Sequence, residues 1–346
     1  MLLMQVDRQH LRSRRRLLQH DAKYMNSLLA SFRGKDLPMS LWRPHVLHLP
    51  ATLAAAHRCF LEEKGWWPDY APRNEGGIGG RSAEEAREHV INRFLNSAAR
   101  MQFVCSDPRD EQAEIRDMVL DQLADGHIHL LDLAAGNGAG TLALLSMLCE
   151  LRAAGVIPKL PINVSITGVD HSVDALAHYA DLLGKLSPWL ENFGLHVDLK
   201  LALCDLTVPG EFSESLEGFF DDAKYHGVSR FLCVISALSG AKMEGVEQML
   251  DSLKNAAARL SHTRRNSSWL WVEPNVGKSW FTSFADTIRL TMRKIRHRLL
   301  PKTGSFEIRT EVPVMLAPVS RRFDWHDPHT GATTSSHVVV AAFRNQ

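Results

Sequence analysis

Three glycines at alternate positions, Gly136, Gly138 and Gly140, follow the acid Asp132 in the run His129-Leu130-Leu131-Asp132-Leu133-Ala134-Ala135-Gly136-Asn137-Gly138-Ala139-Gly140-Thr141. Lacking Cβ atoms, glycines let a chain turn sharply and let a ligand approach the backbone closely. Two further acids, Asp170 and Asp205, come later at the ends of apolar segments. A carboxylate at Asp170 can accept hydrogen bonds from both hydroxyls of a ribose, and one at Asp205 from an exocyclic adenine amine. Asp132 can orient the glycine loop or meet an ammonium group. Any one of these acids has a plainer reading as a turn residue closing a strand. Three of them behind one glycine loop describe a binding site.

Such a site needs elements to position it. Ile128, Leu130, Leu131 and Leu133 form the nearly continuous apolar run of a parallel strand covered on both faces. After Thr141, apolar residues recur at helical spacing from Leu142 to Ala154 and stop at Gly155, a helix terminator. Strand, glycine loop and helix N-terminus together suit the anionic end of a nucleotide-like or amino-acid-like ligand. The alternation then continues: a second strand over Ile162 to Asp170, a helix from Ser172 to about Lys185, a third strand over His196 to Leu203, and a helix over Phe212 to Tyr225. A fourth strand spans Arg230 to Ile235 and ends at Ser236, a helix covers Lys242 to Leu260, and a fifth strand runs from Ser268 to Glu273. A basic helix is expected over about Trp280 to Leu299. Two last strands near Phe306 to Leu316 and His337 to Phe343 flank a turn holding Asp327-Pro328 and Thr330-Gly331. This rhythm implies a doubly wound parallel sheet.

Residues 1–125 lack that rhythm and read as a helical N-terminal region, distinct from the sheet domain over 126–346. Helices are expected over Leu11 to Phe32, Ala51 to Lys64, Ser82 to about Met101 and Asp110 to Ala124, the third opening on the capping-box-like Ser82-Ala83-Glu84-Glu85. Trp66-Trp67 stands before Gly76-Gly77-Ile78-Gly79-Gly80. The tryptophans read first as anchors packing a loop on the body, and second as a cover for substrate.

The pattern resembles the class I S-adenosylmethionine-dependent methyltransferases, over roughly residues 126 to 346. That family has an acid followed by alternate glycines, which here stands as Asp132-x-Ala134-x-Gly136-x-Gly138-x-Gly140, with Ala134 in place of the first glycine. The resemblance implies a seven-stranded Rossmann-like sheet closed by an antiparallel hairpin, with S-adenosyl-L-methionine as cofactor. It implies that Ala134, Ala135, Gly136, Asn137, Gly138 and Gly140 cradle the methionine part and that Asp170 with His171 holds the ribose. Cys204, Asp205 and Leu206 would frame the adenine, with Ser236 at the end of the fourth strand also facing the cofactor. A nicotinamide or flavin dinucleotide is the rival, but its fingerprint Gly-x-Gly-x-x-Gly spaces the third glycine one residue later. A pyrophosphate would also sit poorly beside Asp132.

The acceptor is less legible. No Asn-Pro-Pro-Tyr-like motif follows the fourth strand, which speaks against methylation of exocyclic base amines, and Cys233 reads as a buried thiol rather than a nucleophile. Glu273 is the best-placed acid or base; capping the next helix or binding the cofactor's amine would explain it equally. His326 and His329 read as residues of a solvated turn. The basic runs at 12–16 and 289–302 could grip RNA phosphates if they share a surface, while exposed helix faces account for the same residues. A small molecule or protein acceptor is favoured, because 40 Lys and Arg against 39 Asp and Glu leave a formal charge of +1 and no global pull on nucleic acid or membranes. A non-catalytic module that binds the cofactor within an assembly is the other reading.

The 346 residues suit one large domain with an added module, and no apolar run approaches the roughly 18 residues of a membrane span. Arg12, Arg14, Arg15 and Arg16 follow rather than precede a short apolar patch, the wrong order for a secretory signal. Five scattered cysteines without a Cys-x-x-Cys favour reduced thiols in a cytoplasm over disulfides or structural zinc.

Overall fold

The computed structural model describes residues 32–72, 82–124, 126–225, 230–236, 238, 247–262, 266–274 and 314–345. Their strands are β1 (Trp42–Arg43), β2 (Val46–His48), β3 (His127–Leu133), β4 (Ile162–Asp170), β5 (Leu195–Leu203), β6 (Arg230–Ser236), β7 (Asn266–Glu273), β8 (Val314–His326) and β9 (Thr333–Asn345). The helices are α1 (Ala51–Glu63), α2 (Ala83–Asn92), α3 (Phe94–Ser106), α4 (Ala113–Gln122), α5 (Ala139–Ala153), α6 (Val173–Asn192), α7 (Pro209–Tyr225) and α8 (Leu250–His262).

One sheet holds every strand, in the order β1-β2-β8-β9-β7-β6-β3-β4-β5. From β5 to β7 neighbouring strands are parallel, and the chain leaves β3 toward β4 on one side before returning to pair β6 on the other. That reversal at β3 is the switch point at which doubly wound sheets bind ligands, outside the C-terminal strand ends. The antiparallel β8–β9 hairpin then closes against β7.

Strand alternation divides the core between two faces. Ile128 and Leu130 of β3, Leu232 and Val234 of β6, and Leu270 and Val272 of β7 face a cluster shared with α1 to α6, including Phe60, Val90, Phe94, Phe103, Leu144 and Leu182. Their neighbours Leu131, Leu133, Cys233, Trp269 and Trp271 face the opposite cluster, with Phe212 and Phe219 of α7 and Leu253 of α8. Residues from before and after position 125 therefore lie in one continuous apolar cluster.

Several expectations are corrected. Among the described residues the sheet has nine strands, not seven, because β1 and β2 from the N-terminal region extend its edge, β2 pairing in parallel with β8. That region is consequently not purely helical. The helix expected from Ser82 to Met101 is two helices, broken at Arg93, whose φ of −131° leaves the helical range. Its expected start holds, since the Ser82 side chain accepts from the Glu85 amide at 3.2 Å. The first hairpin strand lies later than expected: the alternation continues through Phe323 and Trp325, both buried, although Arg321 and Arg322 precede them and Asp324 stands between them. Helix α6 runs past Lys185 to Asn192 with Pro188 inside it. The expected helices at Leu11 to Phe32 (all but Phe32 itself) and Trp280 to Leu299, with both basic runs, lie outside the described residues.

Candidate functional site

The glycine loop has the geometry its residue types allow. Gly136 and Gly138 adopt φ of +53° and +73°, in the left-handed region where a Cβ is costly. A Cβ on Gly138 would lie 2.2 Å from the Tyr179 ring, whereas one on Gly136 would meet nothing within 4 Å. The space at Gly138 is filled by the Tyr179 ring, and Gly136 faces open space. Gly140 begins α5 against Met101 of α3 and Ser236 of β6, both within 3.0 Å of where its Cβ would stand. Ala134 stands in the left-handed region too, at φ +51°. An alanine at this backbone angle is strained, at roughly 1–2 kcal/mol. Ala134→Gly should stabilise the protein by about 0.5–1 kcal/mol after the added freedom of the unfolded chain is subtracted; urea unfolding measures it.

The three acids surround this loop in distinct roles. Asp132 is 2% exposed and accepts from the Thr141 hydroxyl at 2.7 Å, tying β3 to the first turn of α5. Burial pushes its carboxyl up to about 7, Asp170 adding to the rise and the bond from Thr141 opposing it. The Tyr179 hydroxyl lies beside Asp132, without a well-directed bond, and its proton is held more tightly by burial and by that neighbouring charge. Asp170 accepts from the Gly136 amide and the Ser172 amide, both at 2.9 Å. Each of its oxygens thus keeps one acceptor site for a ligand. His171, half-exposed, stands with Nδ1 3.5 Å from Asp170. Asp205 accepts from the Thr207 amide and hydroxyl at 2.8 Å each. The Cys204 amide bonds the Asp170 carbonyl at 2.9 Å, and Leu206 and Cys204 are buried beneath.

The structure thus brings Asp132, Ala134 to Gly140, Asp170, His171 and Ser236 together at the switch point, with Cys204, Asp205 and Leu206 on the adjoining strand end. Two residues beside them carried no sequence signal beyond being apolar. Leu203, paired with Asp170 across β4 and β5, and Val173, at the start of α6, are each 63% exposed, although large side chains of this kind are usually buried.

Helix α2 covers the loop from above. The Asn137 amide nitrogen lies 2.9 Å from His89 Nδ1 and 3.4 Å from the Ala86 carbonyl, while its oxygen lies 3.3 Å from His178 Nδ1. Because a carbonyl only accepts, Ala86 fixes which end of the amide points to α2. His89 Nδ1 must then accept, so the neutral ring carries its proton on Nε2. Burial, with Arg93 and Arg100 adding to it, pulls His89 down to about 4. Glu273 is fully buried at the end of β7 and accepts from Trp271 Nε1 at 2.6 Å. It lies close enough to Arg100 to favour that residue's charged form. Among the described residues no cluster of His, Cys, Asp and Glu is arranged to hold a metal ion.

Comparisons with known proteins add little. No family model and no curated protein matches the chain. One similar solved structure is described as "Conversion of a Disulfide Bond into a Thioacetal Group during Echinomycin Biosynthesis": 16% identity, 63% of this chain and 76% of that one, TM-score 0.30. Another is the "Crystal structure of DszA carbon methyltransferase": 12% identity, 98% of this chain and 92% of that one, TM-score 0.28.

The hairpin turn is not the solvated loop its composition suggests. His329 Nε2 lies 3.0 Å from Nδ1 of the buried His57, whose other nitrogen donates to the Val90 carbonyl at 2.8 Å. Tyr70 donates to Asp327 at 2.7 Å, and Trp67 stacks on Tyr70 at 5.7 Å. The turn is packed because the rings of α1 and of the tryptophan segment need a partner. Trp66 meets Phe60 and His178, so both tryptophans anchor their loop on the body. Cys233 is buried, as a structural thiol would be.

Proposed function

We propose that this chain transfers a methyl group from S-adenosylmethionine. The observation that carries the reading is the space at Gly136, open beside a carboxylate that still has acceptor capacity. The residues fit that cofactor: Ala134 to Gly140 would cradle its methionine part and Asp170 its ribose hydroxyls. Asp205 and Leu206 would frame the adenine, with Leu203 and Val173 offering apolar surface to the ring. Asp132 would hold the loop in place through Thr141, and the residues before 126 would form a cover over the cofactor. The sulfonium supplies an electrophilic methyl group, so this chain's contribution is chiefly to position an acceptor in line with it and to exclude water. Ser236, ending β6, would stand nearest the acceptor, with the buried Glu273 at the end of the neighbouring β7. A general base is needed only if the acceptor's nucleophile carries a proton.

Asp170→Ala removes the carboxylate's support of the Gly136 amide as well as its ligand capacity. Affinity for S-adenosylhomocysteine should fall by roughly 1–3 kcal/mol, about 5- to 150-fold; calorimetry giving wild-type affinity would refute the assignment. Turnover is tested by incubation with methyl-labelled cofactor and cell extract. Label in small metabolites or protein supports the reading. Tight binding without transfer to any fraction would make the chain a cofactor-binding module.

A further inference from the structure

The middle of β5 has no part in the cofactor assignment, yet it forms one border of the sheet. The strand order ends at β1 on one side and at β5 on the other. β1 has two residues and is too short to recruit another strand, whereas β5 has nine. Its pairing with β4 advances one residue at a time, from Ile162 opposite Leu195 to Asp170 opposite Leu203. At its two ends the Gly194 carbonyl accepts from the Ile162 amide at 2.8 Å, and the Cys204 amide donates to the Asp170 carbonyl at 2.9 Å. Even-numbered residues of β5 therefore turn their backbone groups toward β4, and odd-numbered ones turn theirs outward. Among the described residues no strand takes up those outward groups. The odd-numbered side chains form an apolar row on the α6 side of the sheet, where Val197, Leu199 and Leu201 are only partly buried. On the other face Asp198 and Lys200 are exposed. A long, regular edge without proline or bulge is a template for a further strand.

We infer that β5 pairs antiparallel with β5 of a second copy of this chain, about a two-fold axis at Leu199. The pattern of charges selects both the occupant and the register. With the axis at Leu199, Asp198 of each copy stands opposite Lys200 of the other, and the two Leu199 residues exchange their outward N–H and carbonyl groups. Val197 stands opposite Leu201, so the two half-buried apolar rows join into one. Moving the axis one residue either way would set Asp198 against Asp198 or Lys200 against Lys200. Lys200 has further interactions in its own chain; the register requires only the sign of its charge. An edge strand whose own sequence complements it in one register is suited to itself rather than to an arbitrary strand. The pairing centres on Val197 to Leu201 and leaves Leu203 beside Asp170, so it neither needs nor alters the methyl-transfer reading.

Sedimentation equilibrium of the full chain, at low salt and from about 1 to 100 µM, tests this directly. The wild type should pass from monomer to dimer within that range. Asp198→Lys and Lys200→Asp each set like charges face to face at both symmetry-related positions, and each should weaken dimerisation by about tenfold or more. Both side chains are exposed, so the variants keep the fold. The double variant Asp198→Lys/Lys200→Asp exchanges the two charges and should restore the dimer. An equimolar mixture of the two single variants should also associate, since one copy then brings two positive charges against two negative ones. A wild type that stays monomeric, a dimer indifferent to the single reversals, or a double variant and a mixture that remain monomeric would overturn the inference.

Discussion

Gly138→Ala should cost about 3 kcal/mol or more of stability, whereas Gly136→Ala, two residues earlier, should cost only about 1 kcal/mol. Both alanines must take a left-handed backbone, at φ +73° and +53°, and that strain is common to the pair. They differ in what the new methyl group meets. At Gly138 it would overlap the Tyr179 ring, which is fully buried between that glycine and Gly168 and has nowhere to retreat. At Gly136 it enters open space. The functional effects should therefore be reversed relative to the damage: Gly136→Ala stays folded but blocks the ligand. Denaturant midpoints combined with S-adenosylhomocysteine titrations read both quantities. Equal destabilisation, or full cofactor affinity in a folded Gly136→Ala, would contradict the account of the loop.

Acid should unfold this protein early, at a pH where ordinary surface histidines merely titrate. His57 is held neutral by burial down to about 3, and its ring is locked between the Val90 carbonyl and His329. His89 is held down to about 4. In the unfolded chain both bind protons near 6.5, so between pH 6.5 and 4 the unfolded state takes up two protons that the folded state refuses. Asp132 opposes them: with its folded value raised to about 7, it keeps a proton in the folded state that the unfolded chain releases above 3.8. The net difference is one proton favouring unfolding, or about 1.4 kcal/mol per pH unit. Stability present above pH 6.5 should thus fall by about 3 kcal/mol by pH 4. His48, His178 and His329 are lowered as well and act in the same direction, while the raised Asp107 opposes them. Urea unfolding at pH 7 and pH 4.5 measures the difference, and equal stability at the two would contradict the buried-neutral assignment of His57 and His89.

The parallel-sheet half of the molecule was legible because its signals are local. Ile162 to Asp170 is a strand over that same span, and the fourth strand ends at Ser236 as its apolar run indicates. Asp132, Asp170 and Asp205 each close such a run, so their convergence follows from parallel pairing. Features that depend on distant partners were not legible. Strands β1 and β2 are two and three residues long, too short for a periodic pattern, and β2 is a strand only because β8 lies beside it. The break at Arg93 has neither proline nor glycine to mark it. Arg100 and His89 read as ordinary positions of helices, and only the fold brings Arg100 to the His337 carbonyl of β9 and His89 to Asn137. The cost at Ala134 also lay beyond the sequence, since alanine's size is tolerated where its backbone angle is not.

Calorimetric titration of the wild-type chain with S-adenosylhomocysteine and, separately, with NAD tests the central claim most directly. The loop spacing and the remaining acceptor sites of Asp170 predict one-to-one binding of S-adenosylhomocysteine and no binding of the dinucleotide. Binding of NAD alone, or of neither, would contradict it.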